Sequence, residues 1–373
     1  MKSDYIIMKI LLAFDSFKDC LSAGEVCETV ATLLSKDYEI ISMPLSDGGE
    51  GFAQILTKQF GGKIVSVNVC GPLGKMISAE YGIVGSTAYI ESASACGLQL
   101  IPHCQRNPLI TTSYGVGQMV NDAVKKGCEV IALGLGGTST NDAGVGMLQA
   151  LGIKFFDEMG ENIGFGGQFL KGISSFDEKE KNVPAKIVCL CDVRNIFYGS
   201  KGAAKVFARQ KGATEDAVEE LDEGLHHFNG LIISEKGINL QHIEGSGSAG
   251  GMAGGLHAFM GAELCHGTDV IFEKMNLETA VKKADLIITG EGKSDRQTLM
   301  GKVAYEVGRL AKKHQKRIIL LSGRIEDKTV LQTVFDDVFE ITPLNQTLSE
   351  AINPSNTKKN IERIIHQINF ERK

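Results

Sequence analysis

Val130-Ile131-Ala132-Leu133 runs directly into Gly134-Leu135-Gly136-Gly137-Thr138-Ser139-Thr140-Asn141-Asp142-Ala143-Gly144, and this junction decides the fold. A short apolar run closed by glycine reads as a buried strand, and Val145 to Leu151 predicts a helix directly behind the loop. Strand, small-residue loop and helix together form the βα unit of a parallel sheet. Small residues let backbone N–H groups approach an anion, and the following helix adds its positive end. The loop hydroxyls suit phosphate oxygens and the Asp142 carboxylate suits a metal ion, a mixture that fits a nucleoside triphosphate with magnesium. The stretch does not read GxxxxGK[ST], so it is not a Walker A loop. The plainer alternative is a tight turn in which Asp142 caps the helix.

Outward from this junction, strand and helix signals alternate toward both ends of the chain. Ile10 to Phe14 reads as a strand, and Ser22 opens a helix with Glu25 at capping-box spacing. Ile40 to Pro44 is a second strand, followed by Asp47-Gly48-Gly49-Glu50-Gly51 and a helix through Phe60. Asp285 to Thr289 is a buried strand ending in Gly290-Glu291-Gly292; a helix over 301–313, strands over 317–321 and 338–341, and a closing helix over 361–368 follow. Such alternation specifies a doubly wound, Rossmann-like parallel sheet. The middle is different: 71–90 reads as short segments of a small mixed or antiparallel sheet and 154–180 as irregular and glycine-rich. We therefore expect residues 1–72 plus 268–373 to form a discontinuous Rossmann-like domain and 73–267 an inserted α/β domain, with the site in the cleft between them.

Composition narrows the function classes. A chain of 373 residues with 43% hydrophobic and 23% charged residues has the make-up of a globular protein of about two domains. A net charge of -6 without a basic stripe argues against nucleic acid. No apolar run reaches the roughly 20 residues that span a bilayer. Nine scattered cysteines without CxxC read as reduced thiols of a cytoplasmic protein, and Cys189-x-Cys191 as strand packing. Met8 opens a stretch that resembles a natural start, which makes residues 1–7 either an extension or a mis-assigned start.

Acidic residues recur where strands end: Asp15, Asp47, Asp192 and Asp295, with Asp142 in the glycine loop. In parallel α/β sheets ligands lie outside the carboxyl ends of strands, so this set suggests a site that binds Mg²⁺ and activates a hydroxyl. Lys18, just past Asp15 and Ser16, is placed to pair with phosphate oxygens as charge develops on the leaving group. Lys293 and Arg296 flank Asp295, and Glu291 is a further metal or hydroxyl ligand. Gly245 to Gly250 (GSGSAG) satisfies the dinucleotide fingerprint GxGxxG, but Leu240 to Glu244 is a poor strand and no acidic residue follows at the required spacing. It reads as a loop of close backbone approach. The histidines show no metal-binding spacing. Phosphoryl transfer fits best, because it demands positioning and electrostatics above covalent chemistry.

These segments together resemble the bacterial type I glycerate kinase family. The resemblance rests on Ala13 to Ala23 (AFDSFKDCLSA), Pro44 to Gly51 (PLSDGGEG), Thr111 to Gly117 (TTSYGVG) and Leu133 to Met147 (LGLGGTSTNDAGVGM). Cys191 to Asn195 (CDVRN), Gln210 to Ala213 (QKGA), Gly245 to Gly255 (GSGSAGGMAGG) and Ile288 to Lys302 (ITGEGKSDRQTLMGK) complete it. Departures are Ala13 and Ser200, where the family favours proline, and Phe207-Ala208-Arg209 in place of FGP. The resemblance implies ATP- and Mg²⁺-dependent phosphorylation of D-glycerate, with the 2-phosphate favoured over the 3-phosphate. On that reading Gly136, Gly137, Thr138, Ser139, Thr140 and Asn141 bind ATP, and Asp142 and Glu291 hold the metal. Asp15, Ser16, Asp47, Lys293 and Arg296 bind substrate, and Lys18 acts on the phosphates. Asp192 or Asp295 takes the hydroxyl proton. Two other functions compete: an NAD-dependent hydroxy-acid dehydrogenase using GSGSAG, and a non-catalytic glycerate-binding module. Monomer and homodimer are both left open.

Overall fold

A computed structural model of the chain describes residues 7–296 and 298–370. The N-terminal extension expected over residues 1–7 lies outside them but for Ile7. The strands, in chain order, are β1 (Lys9–Phe14), β2 (Glu39–Ser42), β3 (Lys63–Cys70), β4 (Met76–Val84), β5 (Thr87–Glu91), β6 (Val130–Gly134) and β7 (Lys154–Phe156). They continue as β8 (Ser175–Asp177), β9 (Lys186–Cys191), β10 (Glu263–His266), β11 (Leu286–Ser294), β12 (Arg317–Ile325) and β13 (Asp337–Glu340). The helices needed below are α1 (Ala23–Leu34), α2 (Phe52–Gln59), α3 (Tyr114–Lys125), α4 (Val145–Ala150), α5 (Glu215–Lys236), α6 (Met252–Met260), α7 (Val303–Lys313) and α8 (Pro354–Ile365). The chain divides into two compact units, one of residues up to Asp47 and from Thr268 onward, the other Gly48–Gly267.

The terminal unit is an all-parallel sheet in the order β13-β12-β11-β1-β2. β1 sits inside the sheet, and five of its six residues are buried, as the unbroken apolar run Ile10 to Phe14 requires of a strand covered on both faces. Ile10, Leu12 and Phe14 share a core with Val26 and Val30 of α1 and Ile361 and Ile364 of α8. The alternate residues face the side where α7 packs. Full burial of each such side chain contributes roughly 1.5–3 kcal/mol. α1 starts as its sequence specifies, with Ser22 and Glu25 forming a complete capping box. α8 begins earlier than its apolar periodicity indicates, because Asn353 caps Ser355 and Asn356 and Pro354 takes the first turn. β11 is longer than expected: Gly290-Glu291-Gly292 lies within the strand, paired with β12.

The central unit carries a six-stranded mixed sheet in the order β10-β9-β6-β5-β4-β3. β3, β4 and β5 are antiparallel neighbours, as the glycine-punctuated stretch 71–90 indicates, while β5, β6, β9 and β10 run parallel. Residues 48–72, expected with the terminal unit, fall here instead. β3 pairs along its whole length with β4, and Thr57 of α2 lies against Gly82 of β4. The irregular stretch 154–180 contains the short antiparallel β7–β8 pair, a Phe156–Asn162 bridge and a 3₁₀ turn. Cys189 and Cys191 are buried strand residues, and every cysteine is a free thiol. Among the described residues no helix is long and apolar enough to cross a membrane.

Candidate active site

In the terminal unit the acidic residues gather at the carboxyl edge of the sheet. Register fixes Phe14 opposite Gly290, and the amide of Asp15 donates to the Gly290 carbonyl at 3.0 Å, so Asp15 leaves the central strand beside Glu291. Burial, then the charges of Asp47 and Glu291, push the Asp15 carboxyl up to about 8, against an opposing hydrogen bond from the Ser16 amide and the charge of Lys302. That amide lies 2.6 Å from Asp15 Oδ1. Glu291 is buried and accepts the hydroxyls of Ser294 at 2.9 Å and Thr298 at 2.6 Å, with Lys302 Nζ 3.5 Å from its other oxygen. A side chain at Gly290 would drive its Cβ to 2.0 Å from the Leu321 carbonyl, so the glycines around Glu291 permit close strand packing.

The remaining candidates of this unit lie on the same edge. Lys293 Nζ is 3.6 Å from Asp295 Oδ2 and 3.1 Å from Glu326, and Arg296 pairs with Asp327 at 2.7 Å. Asp295 is half-buried and its amide donates to Thr298 Oγ1 at 3.0 Å. Lys18 is exposed in the turn after β1, its amide 3.2 Å from where a Cβ on Gly292 would sit.

In the central unit, β6 and β9 end side by side, Gly134 opposite Leu190, which places the glycine loop and exposed Asp192 at one sheet edge. Thr138 to Asp142 are all buried. Gly137 takes φ +71°, a conformation that favours glycine, and Ser139 is fixed by its amide and hydroxyl, both donating to the Cys96 carbonyl at 2.8 Å. Asp142 serves the fold. Its Oδ2 accepts the amide and hydroxyl of Ser113 at 2.9 and 2.8 Å and the Gly146 amide at 3.3 Å, and its Oδ1 accepts the Gly144 amide at 3.2 Å. The carboxylate caps α4 through the Gly146 amide, while the Val145 amide donates to the Asp142 backbone carbonyl at 2.8 Å and the Met147 amide to the Ser113 hydroxyl at 2.9 Å.

Asp142, expected as a metal ligand, is 1% exposed and accepts from four protein donors. Glu291 is engaged in the same way by two hydroxyls. No group of three or more metal-ligating side chains occurs among the described residues. Mg²⁺, however, is commonly held by one or two carboxylates plus phosphate oxygens and water. Asp15 and Asp47, which repel one another at the sheet edge, are the pair whose charge a cation would relieve.

Sequence reasoning missed the residues that build the loop. Lys211, buried to 4% exposure, donates from Nζ to the Thr140 carbonyl at 2.7 Å and to Thr138 Oγ1 at 3.2 Å. Ser113 and Thr111 hold Asp142 and the Ser139 carbonyl. All three lie in segments that carried the family resemblance, but a lysine in a polar stretch gives no local sign of burial. The GSGSAG run is a close-approach loop without a preceding strand: residues 240–242 are a 3₁₀ turn. A Cβ on Gly250 would sit 2.2 Å from the Thr140 carbonyl, and the Gly250 carbonyl accepts the Ala143 amide at 3.0 Å.

Comparison with known proteins gives the arrangement its relatives. A glycerate kinase from Bacillus subtilis (strain 168) is 40% identical over 92% of this chain and 93% of its own length. The glycerate 2-kinase of Escherichia coli (strain K12) matches equally, 40% identical over 92% of this chain and 93% of that protein. A crystal structure of a candidate glycerate kinase 2 from Salmonella typhimurium LT2 superposes with a TM-score of 0.80 at 37% identity, covering 97% of this chain and 99% of that one. The family model described as the glycerate kinase family matches residues 10–371, nearly the whole sequence. With both units and the whole run of loops accounted for, this chain is an enzyme of the glycerate kinase family.

Proposed function

We propose that the protein transfers the γ-phosphoryl group of ATP to D-glycerate, giving 2-phosphoglycerate in preference to 3-phosphoglycerate, in the cytoplasm. The observation that carries this reading is the gathering of Asp15, Asp47 and Glu291 at the carboxyl edge of the terminal sheet in a chain of the glycerate kinase family; burial and the two neighbouring charges push the Asp15 carboxyl up to about 8. The name of the Escherichia coli relative, a glycerate 2-kinase, supports the choice of product.

In this reading the segment Gly136 to Asn141 receives phosphate at its accessible end, on the backbone of Gly136 and Gly137, and Lys18 pairs with phosphoryl oxygens. Ser16, with Lys293 and Arg296, orients the substrate and its carboxylate. Asp192 or Asp295 takes the proton of the attacking hydroxyl, whose oxygen bonds to the γ-phosphorus as the bond to ADP breaks. A positioned base contributes about 10²- to 10⁴-fold. Mg²⁺ would be held by Asp15 and Asp47 and, when bound, neutralises charge on the phosphate oxygens.

The test is a coupled assay with ATP, Mg²⁺ and D-glycerate, the product isomer being resolved by NMR. Exclusive 3-phosphoglycerate would overturn the regiochemistry. A nicotinamide absorbance change in place of ATP consumption would identify a dehydrogenase. A thermal shift with glycerate and no ATP hydrolysis would identify a binding module. Normal turnover by folded Asp192→Asn and Asp295→Asn variants alike would remove both from the role of base.

A further inference from the structure

Lys211 ends a short 3₁₀ turn and precedes Gly212, whose φ of +96° and close packing, a Cβ there falling 2.2 Å from the Arg106 carbonyl, call for glycine. Its ammonium is buried under the glycine loop and forms no ion pair among the described residues; its two hydrogen bonds go to the Thr140 carbonyl and the Thr138 hydroxyl. Burying an unpaired charge is costly, and a purely structural tie between two loop positions could be made by a neutral group. Next to Thr140 lies a second unspent polarity: the Asn141 side chain is 0% exposed, and neither its Nδ2 nor its Oδ1 has a hydrogen-bond partner. A cation without an ion pair and an unpaired amide therefore meet at the same loop segment.

We infer that Lys211 is a positioning residue for the nucleotide, holding Thr138 and Thr140 in place while its charge, set behind the loop, draws phosphate oxygens to the loop's outer face. This rests on the reading above that the loop receives ATP. A charge in a dry interior acts over several ångströms with little screening, so it need not touch the ligand. The titratable and charged groups around it are the Cys96 thiol, the Asp142 carboxylate and, along the backbone packed on Gly212, Arg106. The Arg106 guanidinium is spent on the carbonyls of Leu98 and Ile101. Burial lowers the ammonium to about 8, so its charge is lost in the accessible alkaline range.

The experiment measures MgATP affinity by calorimetry, and kcat and both KM values, for wild type, Lys211→Met and Lys211→Arg. Lys211→Met should weaken MgATP binding at pH 7 at least about tenfold, leaving the glycerate KM within about threefold, and Lys211→Arg should recover most of the loss. Because Asp15 titrates in the same range in both proteins, the ratio of wild-type to Lys211→Met MgATP affinity is read against pH, and it should shrink as pH rises through about 8. Unchanged MgATP affinity in folded Lys211→Met, or a ratio flat from pH 7 to 9, would overturn the inference. If Lys211→Met loses MgATP affinity but the wild type does not phosphorylate glycerate, the inference stands and the reading of the substrate fails. A wild type that does not bind MgATP overturns both.

Discussion

Ser113 grips Asp142 twice, its amide at 2.9 Å and its hydroxyl at 2.8 Å from the same carboxylate oxygen. This double contact joins the N-terminus of α3 to that of α4 and makes Asp142 part of the frame behind the loop. Removing a buried, multiply hydrogen-bonded carboxylate strands its donors. Asp142→Ala is expected to lose about 2–4 kcal/mol of stability in urea unfolding. The Mg²⁺ concentration needed for half-maximal rate should stay close to wild type. Normal stability with a tenfold-raised Mg²⁺ requirement would return Asp142 to the role of metal ligand.

Asp15 links activity to stability with opposite signs. Its folded carboxyl holds a proton up to about 8, whereas an unperturbed Asp releases it near 3.8. Between these values the folded chain binds more protons than the unfolded one, so this group lowers stability progressively as pH rises from about 4 to 8. The cost is complete above that range. Asp15→Asn removes the cost, and its melting temperature should rise relative to wild type on going from pH 5 to 8.5. Turnover should fall at least about 10²-fold. A variant that is less stable than wild type at pH 8.5 would contradict this account.

Glu291 organises the turn after β11 through Ser294 and Thr298. Truncation to alanine leaves both hydroxyls unpaired, with a stability loss of about 1–3 kcal/mol by denaturant titration. The half-exposed Lys302 contact adds little to this, since its Nζ stands 3.5 Å from the carboxylate. Full stability in Glu291→Ala would show that the buried hydroxyls find other partners.

Arg296 separates binding from folding. Its ion pair with Asp327 is exposed on the arginine side, 80% by side-chain area, so Arg296→Ala should change stability by less than about 0.5 kcal/mol. If the guanidinium leaves Asp327 for the substrate carboxylate, the glycerate KM should rise about tenfold or more while the ATP KM stays put. A rise in the ATP KM alone would place Arg296 on the nucleotide.

The sheet strands were legible because their apolar runs are uninterrupted, as in Ile10 to Phe14 and Ile187 to Cys191. The Ser22–Glu25 box was legible because it is a local spacing with a local cause. The membership of residues 48–72 was not. β3 is largely exposed and partners a strand already counted in the centre, and pairing leaves no trace in either strand alone. The acidic edge was visible as a pattern, since strand ends define it. Which carboxylates are free to act was hidden, because Asp142 is claimed by Ser113, 29 positions away in sequence. Lys211 stayed hidden for the same reason: its partners Thr138 and Thr140 lie more than 70 positions upstream.

β1 lies between β2 and β11, yet β11 is made only after the whole central unit. On the ribosome, Ile10 to Phe14 therefore emerge as a sticky ribbon with one of two edges unclaimed until residue 286 and beyond have been synthesised. The central unit, contiguous from Gly48 to Gly267, can mature during that wait. The central unit can thus be complete before the terminal sheet is, and a chain cut short after the central unit would carry a hydrophobic strand with one edge permanently unmated at its front, a natural handle for chaperones and proteases.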